Sequence, residues 1–266
     1  FSAVPERTDA MLLSSLEHAL SRPTRLVVCA HASNICPATL PLAAIGRLCH
    51  AHGALFVVDA AQSAGVLDIN MEEMQIDALA VPGHKGLYGP MGVGMLLLGK
   101  GIRPDTLLEG GNGLDSLSGG MGDDLPERYE PGTLPLPAIA GLRAGIEFVR
   151  RVTPEAIREK ETALGVFLRD ALTELPGVHV AVPHLAGGTV LFRADGVSSE
   201  DIAARLDAAG SGICVRPGFH CAALAHRTLG TPEGGAVRAS FGWFNTRRDA
   251  EQLIQSLRGG LPGRNG

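Results

Sequence analysis

The 266-residue sequence has no surplus of positive charge, no closely spaced cysteine pair and no long apolar run. Each absence removes a class of function. Lys and Arg number 23 against 28 Asp and Glu, a formal net charge of −5, so nothing in the balance calls for a nucleic-acid backbone or an anionic membrane surface as partner. The five cysteines, Cys29, Cys36, Cys49, Cys214 and Cys221, are odd in number and form no C-x-x-C pair. That suits neither a disulfide framework nor a zinc site and fits a reducing, cytoplasmic location. No apolar run approaches the roughly 18 residues that a spanning helix needs, and the first residues lack the basic-then-apolar order of a signal peptide. His50, His52, His179 and His184 lack ligand-like spacing, so no metal is expected. The chain opens on Phe1 without an obvious starting strand or cap, which reads as a fragment.

What is present is an alternation of helical and strand-like segments. Apolar residues recur at helical spacing over 12–20, and 25–30 is a short continuous apolar run of the kind that forms a buried parallel strand. A helix over 41–51, with Pro41 near its first turn and Gly53 behind it, leads into a strand over 54–59; a third strand is predicted over 77–81. This spacing predicts an α/β fold, a mostly parallel sheet with helices on both faces, in a large domain spanning 1–137. Gly- and Pro-rich sequence over 108–137 has no period and reads as an active-site loop in preference to a linker. Beyond it, helices over 138–151 and 154–175, strands over 178–182, 188–193, 213–215 and 236–241, and helices over 199–209 and 246–257 predict a smaller α+β domain, 138–266.

In parallel sheets ligands bind at the carboxyl ends of strands, which is where Asp59, and then Lys85 a few residues past the next strand, are expected. A lysine tucked among glycines at such an edge would lose hydration and act as a nucleophilic amine. A carboxylate beside it could hold a protonated ring nitrogen, and Gln62, just beyond Asp59, could donate to a ring hydroxyl. Taken singly, Asp59 reads equally as a strand-end cap and Lys85 as a solvated surface amine. Cys29 and Cys49 lie in apolar patterns and read as small buried hydrophobes; Cys36 and Cys214 fit either role. His31 and His226 could line a site or be satisfied polar residues.

Together, Val57-Val-Asp-Ala-Ala-Gln-Ser-Ala-Gly65 and Pro82-Gly-His-Lys-Gly-Leu-Tyr-Gly-Pro90 resemble the cofactor-binding segments of fold type I pyridoxal-phosphate enzymes of aminotransferase class V. Within that class they resemble the cysteine desulfurases. The similarity runs from about residue 25 to residue 257. It implies that Lys85 is the Schiff-base lysine for pyridoxal 5'-phosphate, with Asp59 on the pyridine nitrogen, Gln62 on the ring hydroxyl and His84 on the phosphate. His31-Ala-Ser-Asn-Ile35 resembles the turn that brings an asparagine, Asn34, against the ring. Arg128-Tyr-Glu-Pro-Gly-Thr133 resembles the segment whose threonine, Thr133, reaches a phosphate in the other protomer, which implies a homodimer with shared active sites.

Val215-Arg-Pro-Gly-Phe-His-Cys-Ala222, followed by Val237-Arg-Ala-Ser-Phe241, resembles the desulfurase loop that carries the sulfur-accepting cysteine and the strand behind it. The resemblance assigns Cys221 as nucleophile, Arg238 as the clamp on the substrate carboxylate and Arg216 as a second basic contact. The chemistry agrees, because a cysteine beside a histidine and two arginines is set to react as a nucleophile and a guanidinium grips a carboxylate through two parallel hydrogen bonds. The implied activity is conversion of L-cysteine to L-alanine, with sulfur left on Cys221 as a persulfide for an acceptor protein. The alternatives are another class V activity (selenocysteine lyase, aminotransferase or epimerase-like) or a cofactor-free relative kept for assembly. The chain departs from the family in three places. Pro82 stands where many relatives have a serine or threonine, and Phe219 where some have histidine. The N-terminal part of a typical member, with its phosphate turn and ring-stacking histidine, is not in the sequence, so 1–137 would be a truncated cofactor domain.

Overall fold

The computed structural model describes residues 8–113, 120–208, 212–231 and 233–260. Residues 114–119 of the expected loop and residue 209 of the helix expected over 199–209 lie outside that range. The first helix, α1 (Asp9–Leu20), starts where the Thr8 hydroxyl accepts the Met11 N–H at 3.3 Å, a standard way to satisfy a free amide at a helix start. In α2 (Leu42–Ala51) the buried residues are Leu42, Ile45, Gly46 and Cys49, the spacing that keeps one helical face against a core. Four strands form the first sheet: β1 (Leu26–Ala30), β2 (Leu55–Asp59) and β3 (Ala78–Pro82) run parallel, and β4 (Gly94–Leu98) pairs antiparallel to β3. The sequence reading assigns no strand to β4, because the glycines before it mask a short apolar run.

One face of this sheet holds the core. Phe56 and Val58 are fully buried with Leu79, Val81 and the inward residues of α2, and complete burial of such a side chain contributes about 1.5–3 kcal/mol. On the opposite face Leu26, Val28, Leu55 and Leu96 are exposed. Helical cover is therefore seen on one face among the described residues.

Two helices follow, α3 (Leu136–Val152) and α4 (Pro154–Thr173). The break falls at Thr153, held at φ 80° ahead of Pro154; the Thr153 hydroxyl accepts the Ala156 N–H at 3.2 Å and so caps α4. The two helices serve different cores: α3 places Leu142 in the core of the first sheet, whereas α4 places Leu168 and Leu172 in a second. That second core lies on an antiparallel sheet of β5 (Val178–Val180), β6 (Thr189–Ala194) and β7 (Val237–Ser240), with α5 (Ser199–Ala208) and α7 (Arg247–Gly260) packed on it. A short helix, α6 (Ala223–Leu229), follows Cys221. The strand expected over 213–215 is not formed. Instead Arg216 and Arg238 make an isolated antiparallel bridge, since Pro217 has no N–H to extend a ladder and Gly218 turns the chain away at φ 90°.

Candidate active site

The site begins at one edge of the first sheet. Asp59 ends β2 and Pro82 ends the parallel β3, so the turns after them leave the sheet on the same side. Two glycines press these turns together. A Cβ on Gly65, which sits at φ +83°, would fall 2.1 Å from the Gly86 carbonyl oxygen, and one on Gly86 would fall 2.3 Å from that of Ala64. Only glycine permits such an approach, and it brings the Gln62 turn alongside Lys85. The same packing corrects the expectation of a lysine tucked among glycines. The glycine backbones fill the contact and the Lys85 side chain is left exposed. Tyr88 then ties this loop to the C-terminal part of the chain, because its hydroxyl accepts the Trp243 N–H at 2.9 Å and its ring meets Phe148 and Phe244 edge-on.

The second half of the site comes from the cysteine loop. Arg238 on β7 donates from Nη1 to the Asn34 carbonyl at 2.8 Å, and the Asn34 side-chain amide donates to the His220 carbonyl at 2.7 Å. Arg216 and Arg238 exchange both backbone hydrogen bonds, at 3.0 and 2.8 Å. His220 and Cys221 both have left-handed backbone, φ 56° and 58°, a conformation that costs a non-glycine residue energy and persists only where neighbours enforce it.

Between the two halves lies a cavity of about 740 Å³. Its wall includes Asn34, Gln62, His84, Lys85, Arg216, Cys221 and Arg238, seven of the residues singled out in the sequence. Asp59 and Thr133 stand outside this wall. Asp59 is exposed at the sheet edge, its carboxylate accepting the Ala61 N–H at 2.8 Å, and Thr133 is exposed on the segment before α3.

The structure adds residues that the sequence reading passed over: Tyr88, Thr189 and Glu161. Glu161 carried a legible signal, since it falls in the inward stripe of α4 between Ile157 and Leu164, both buried, where a carboxylate is out of place. Burial pushes its carboxyl up to about 7. An adjoining cavity of about 580 Å³ shares Gln62, Val66, Glu161 and Thr189 with the first, so Glu161 stands where the two meet. Desolvation also lowers the basicity of His220 and of Arg238, whose guanidinium is further lowered by the charge of Arg216. Among the described residues the buried Nε of Arg238 has no hydrogen-bond partner, which leaves a donor for an anionic ligand.

Known proteins give this arrangement a setting. The chain is 34% identical over 248 residues to a probable cysteine desulfurase of Methanothermobacter thermautotrophicus, covering 91% of this chain and 62% of that protein. It is 32% identical to one from Halalkalibacterium halodurans, again spanning 62% of the relative. Among solved structures it resembles a cysteine desulfurase of Thermococcus onnurineus NA1, with TM-score 0.81 and 32% identity, covering 96% of this chain and 64% of that one. It also resembles the cysteine desulfurase CsdA of Escherichia coli, with TM-score 0.84 and 26% identity. The fold is that of the fold type I enzymes, and the chain spans less than two thirds of the length of these relatives. The aminotransferase class-V family model matches residues 4–253, nearly the whole chain, and this protein belongs to that family.

Proposed function

We propose that this chain carries the lysine, the cysteine nucleophile and the carboxylate clamp of a pyridoxal-phosphate-dependent cysteine desulfurase. The observation that supports this most is that Lys85, Cys221 and Arg238 line one cavity. The residues present fit the cofactor: an exposed amine for its aldehyde, the Gln62 amide and His84 imidazole for its polar groups, and free guanidinium capacity nearby for the substrate carboxylate. When bound, pyridoxal phosphate supplies the aldehyde that amines condense with and a ring that withdraws electrons from the substrate α-carbon.

The chain's own groups then have distinct tasks. Arg238, with Arg216 beside it, grips the carboxylate of L-cysteine and fixes its orientation. Lys85, as a free amine, takes the proton from the α-carbon and later returns it. The Cys221 sulfur attacks the substrate sulfur. A new S–S bond forms, the substrate C–S bond breaks with its electron pair going to carbon, and a proton taken up there completes alanine. Cys221 keeps the transferred sulfur as a persulfide, for delivery to an acceptor protein. In this reading Asp59 and Thr133 serve as cofactor contacts, Thr133 across a homodimer interface.

The test is a pair of variants. Lys85→Ala should lose the visible absorbance gained on adding pyridoxal phosphate, and an unchanged band would remove Lys85 from its role. Cys221→Ala should keep that band while alanine and sulfide release from L-cysteine stop. Full turnover in that variant, or keto-acid production in place of alanine, would favour another class V activity.

A further inference from the structure

Behind Cys221 lies a chain of hydrogen bonds whose polarity is fixed by one end. The His220 Nε2 lies 2.8 Å from the Arg216 carbonyl oxygen; a carbonyl only accepts, so Nε2 carries the hydrogen. A neutral imidazole then has its lone pair on Nδ1, which faces the Nε2 of His226 at 2.9 Å. His226 Nε2 must therefore be the donor, and its own Nδ1 is left to accept from the Thr231 hydroxyl at 2.9 Å, a hydroxyl that also lies 3.2 Å from the His226 carbonyl oxygen. The His226 side chain is almost wholly buried, and the two imidazole planes lie within 22° of each other with centroids 5.1 Å apart. An edge-on contact with Phe219 closes the outer side.

We propose that His226 is a positioning residue for Cys221: through its hydrogen bond to His220 it holds the cysteine loop in the left-handed conformation that directs the thiol into the Lys85 cavity. Two things in the geometry carry this. His220 and Cys221 are the strained pair, and such backbone needs enforcement from several sides. Among the described residues, His220 is fixed at its carbonyl by Asn34, at Nε2 by the Arg216 carbonyl and at Nδ1 by His226. The arrangement also has a definite acid limit. A proton on His220 would set two N–H groups against each other across 2.9 Å. One on His226 would put a charge on an almost wholly buried ring. Burial opposes protonation of both rings; at His220 the Arg216 carbonyl favours it and the charges of Arg238 and Arg216 oppose it, while His220 in turn opposes that of His226.

The meaning of this device rests on the reading of Cys221 as sulfur acceptor, yet its test needs neither cofactor nor substrate. A failed desulfurase assay and a failed positioning test are thus separate results. In the full chain with exposed Cys214 replaced by serine, the reaction of Cys221 with 2,2′-dithiodipyridine is followed against pH, with the adduct located by mass spectrometry. Relative to the unfolded chain, wild type should hold a constant low rate at neutral pH and rise roughly threefold or more in acid as the loop loosens. His226→Leu should show the raised rate throughout. His226→Gln, whose amide can still donate to His220, should restore the wild-type rate at neutral pH. A wild-type profile in His226→Leu, or a Gln variant as fast as Leu, overturns the proposal. If His226→Leu does not fold, the nitrogen–nitrogen coupling across the His226–His220 hydrogen bond in labelled wild type decides, and its absence at neutral pH overturns it.

Discussion

Arg238 donates from Nη1 to the carbonyl oxygen of Asn34 at 2.8 Å, which ties a strand of the second sheet to the turn after β1 of the first. The guanidinium that is proposed to clamp substrate is thus also a structural tie between the two halves of the site. Lysine at this position keeps the charge but carries its three N–H donors on one nitrogen, without the planar fork that lets the guanidinium face Asn34 and a carboxylate together. Arg238→Lys should raise KM for L-cysteine by about tenfold or more, roughly 1.4 kcal/mol, with a smaller effect on kcat. Steady-state kinetics decide; an unchanged KM would remove Arg238 from substrate binding.

Gly145 sets how closely α3 approaches the Lys85 loop. A Cβ there would lie 2.2 Å from the Leu87 carbonyl oxygen and 2.8 Å from the Tyr88 carbonyl carbon, both backbone atoms that cannot rotate aside. Gly145→Ala should therefore destabilise the fold by about 1–3 kcal/mol despite alanine's better helix propensity. It should also weaken pyridoxal-phosphate binding, since the loop has to move. Thermal melts and a cofactor titration measure the two effects, and a variant as stable as wild type would show that the loop yields freely.

Glu161 gives stability a pH dependence of calculable sign. Burial raises its carboxyl from the ordinary 4.5 to about 7, so between these values the folded chain keeps a proton that the unfolded chain has released. Stability from this group is fully present below pH 4.5 and is lost as pH rises towards 7. Glu161→Gln lacks that loss. Its unfolding free energy from urea titration should match wild type at acid pH and exceed it at pH 8, by roughly 1–3 kcal/mol. Equal free energies at both pH values would show that the carboxylate is solvated as the two cavities breathe.

Local pattern made the strands and helices legible. Continuous apolar runs marked β1 to β3, and Pro41 near the first turn with Gly53 behind the last marked α2. Where competing signals were short, the reading failed: glycines hid β4, and residues 213–215 looked strand-like although Pro217 and Gly218 end any ladder there. Glu161 was visible as a carboxylate in an apolar stripe, but only the cavity beside it gives the position a meaning.

The sequence by itself determined the family and the chemical types at the site: a lysine after a buried strand, a cysteine after a histidine, and an arginine on a late strand. Those follow from residue identity and local spacing, which the chain states directly. Tertiary structure alone decided that Lys85, Cys221 and Arg238 share one wall, that Lys85 is exposed, and that His226 backs His220. Each depends on long-range packing, through Gly65 against Gly86 and Asn34 between His220 and Arg238, and such contacts between segments far apart in the chain have no local pattern to announce them.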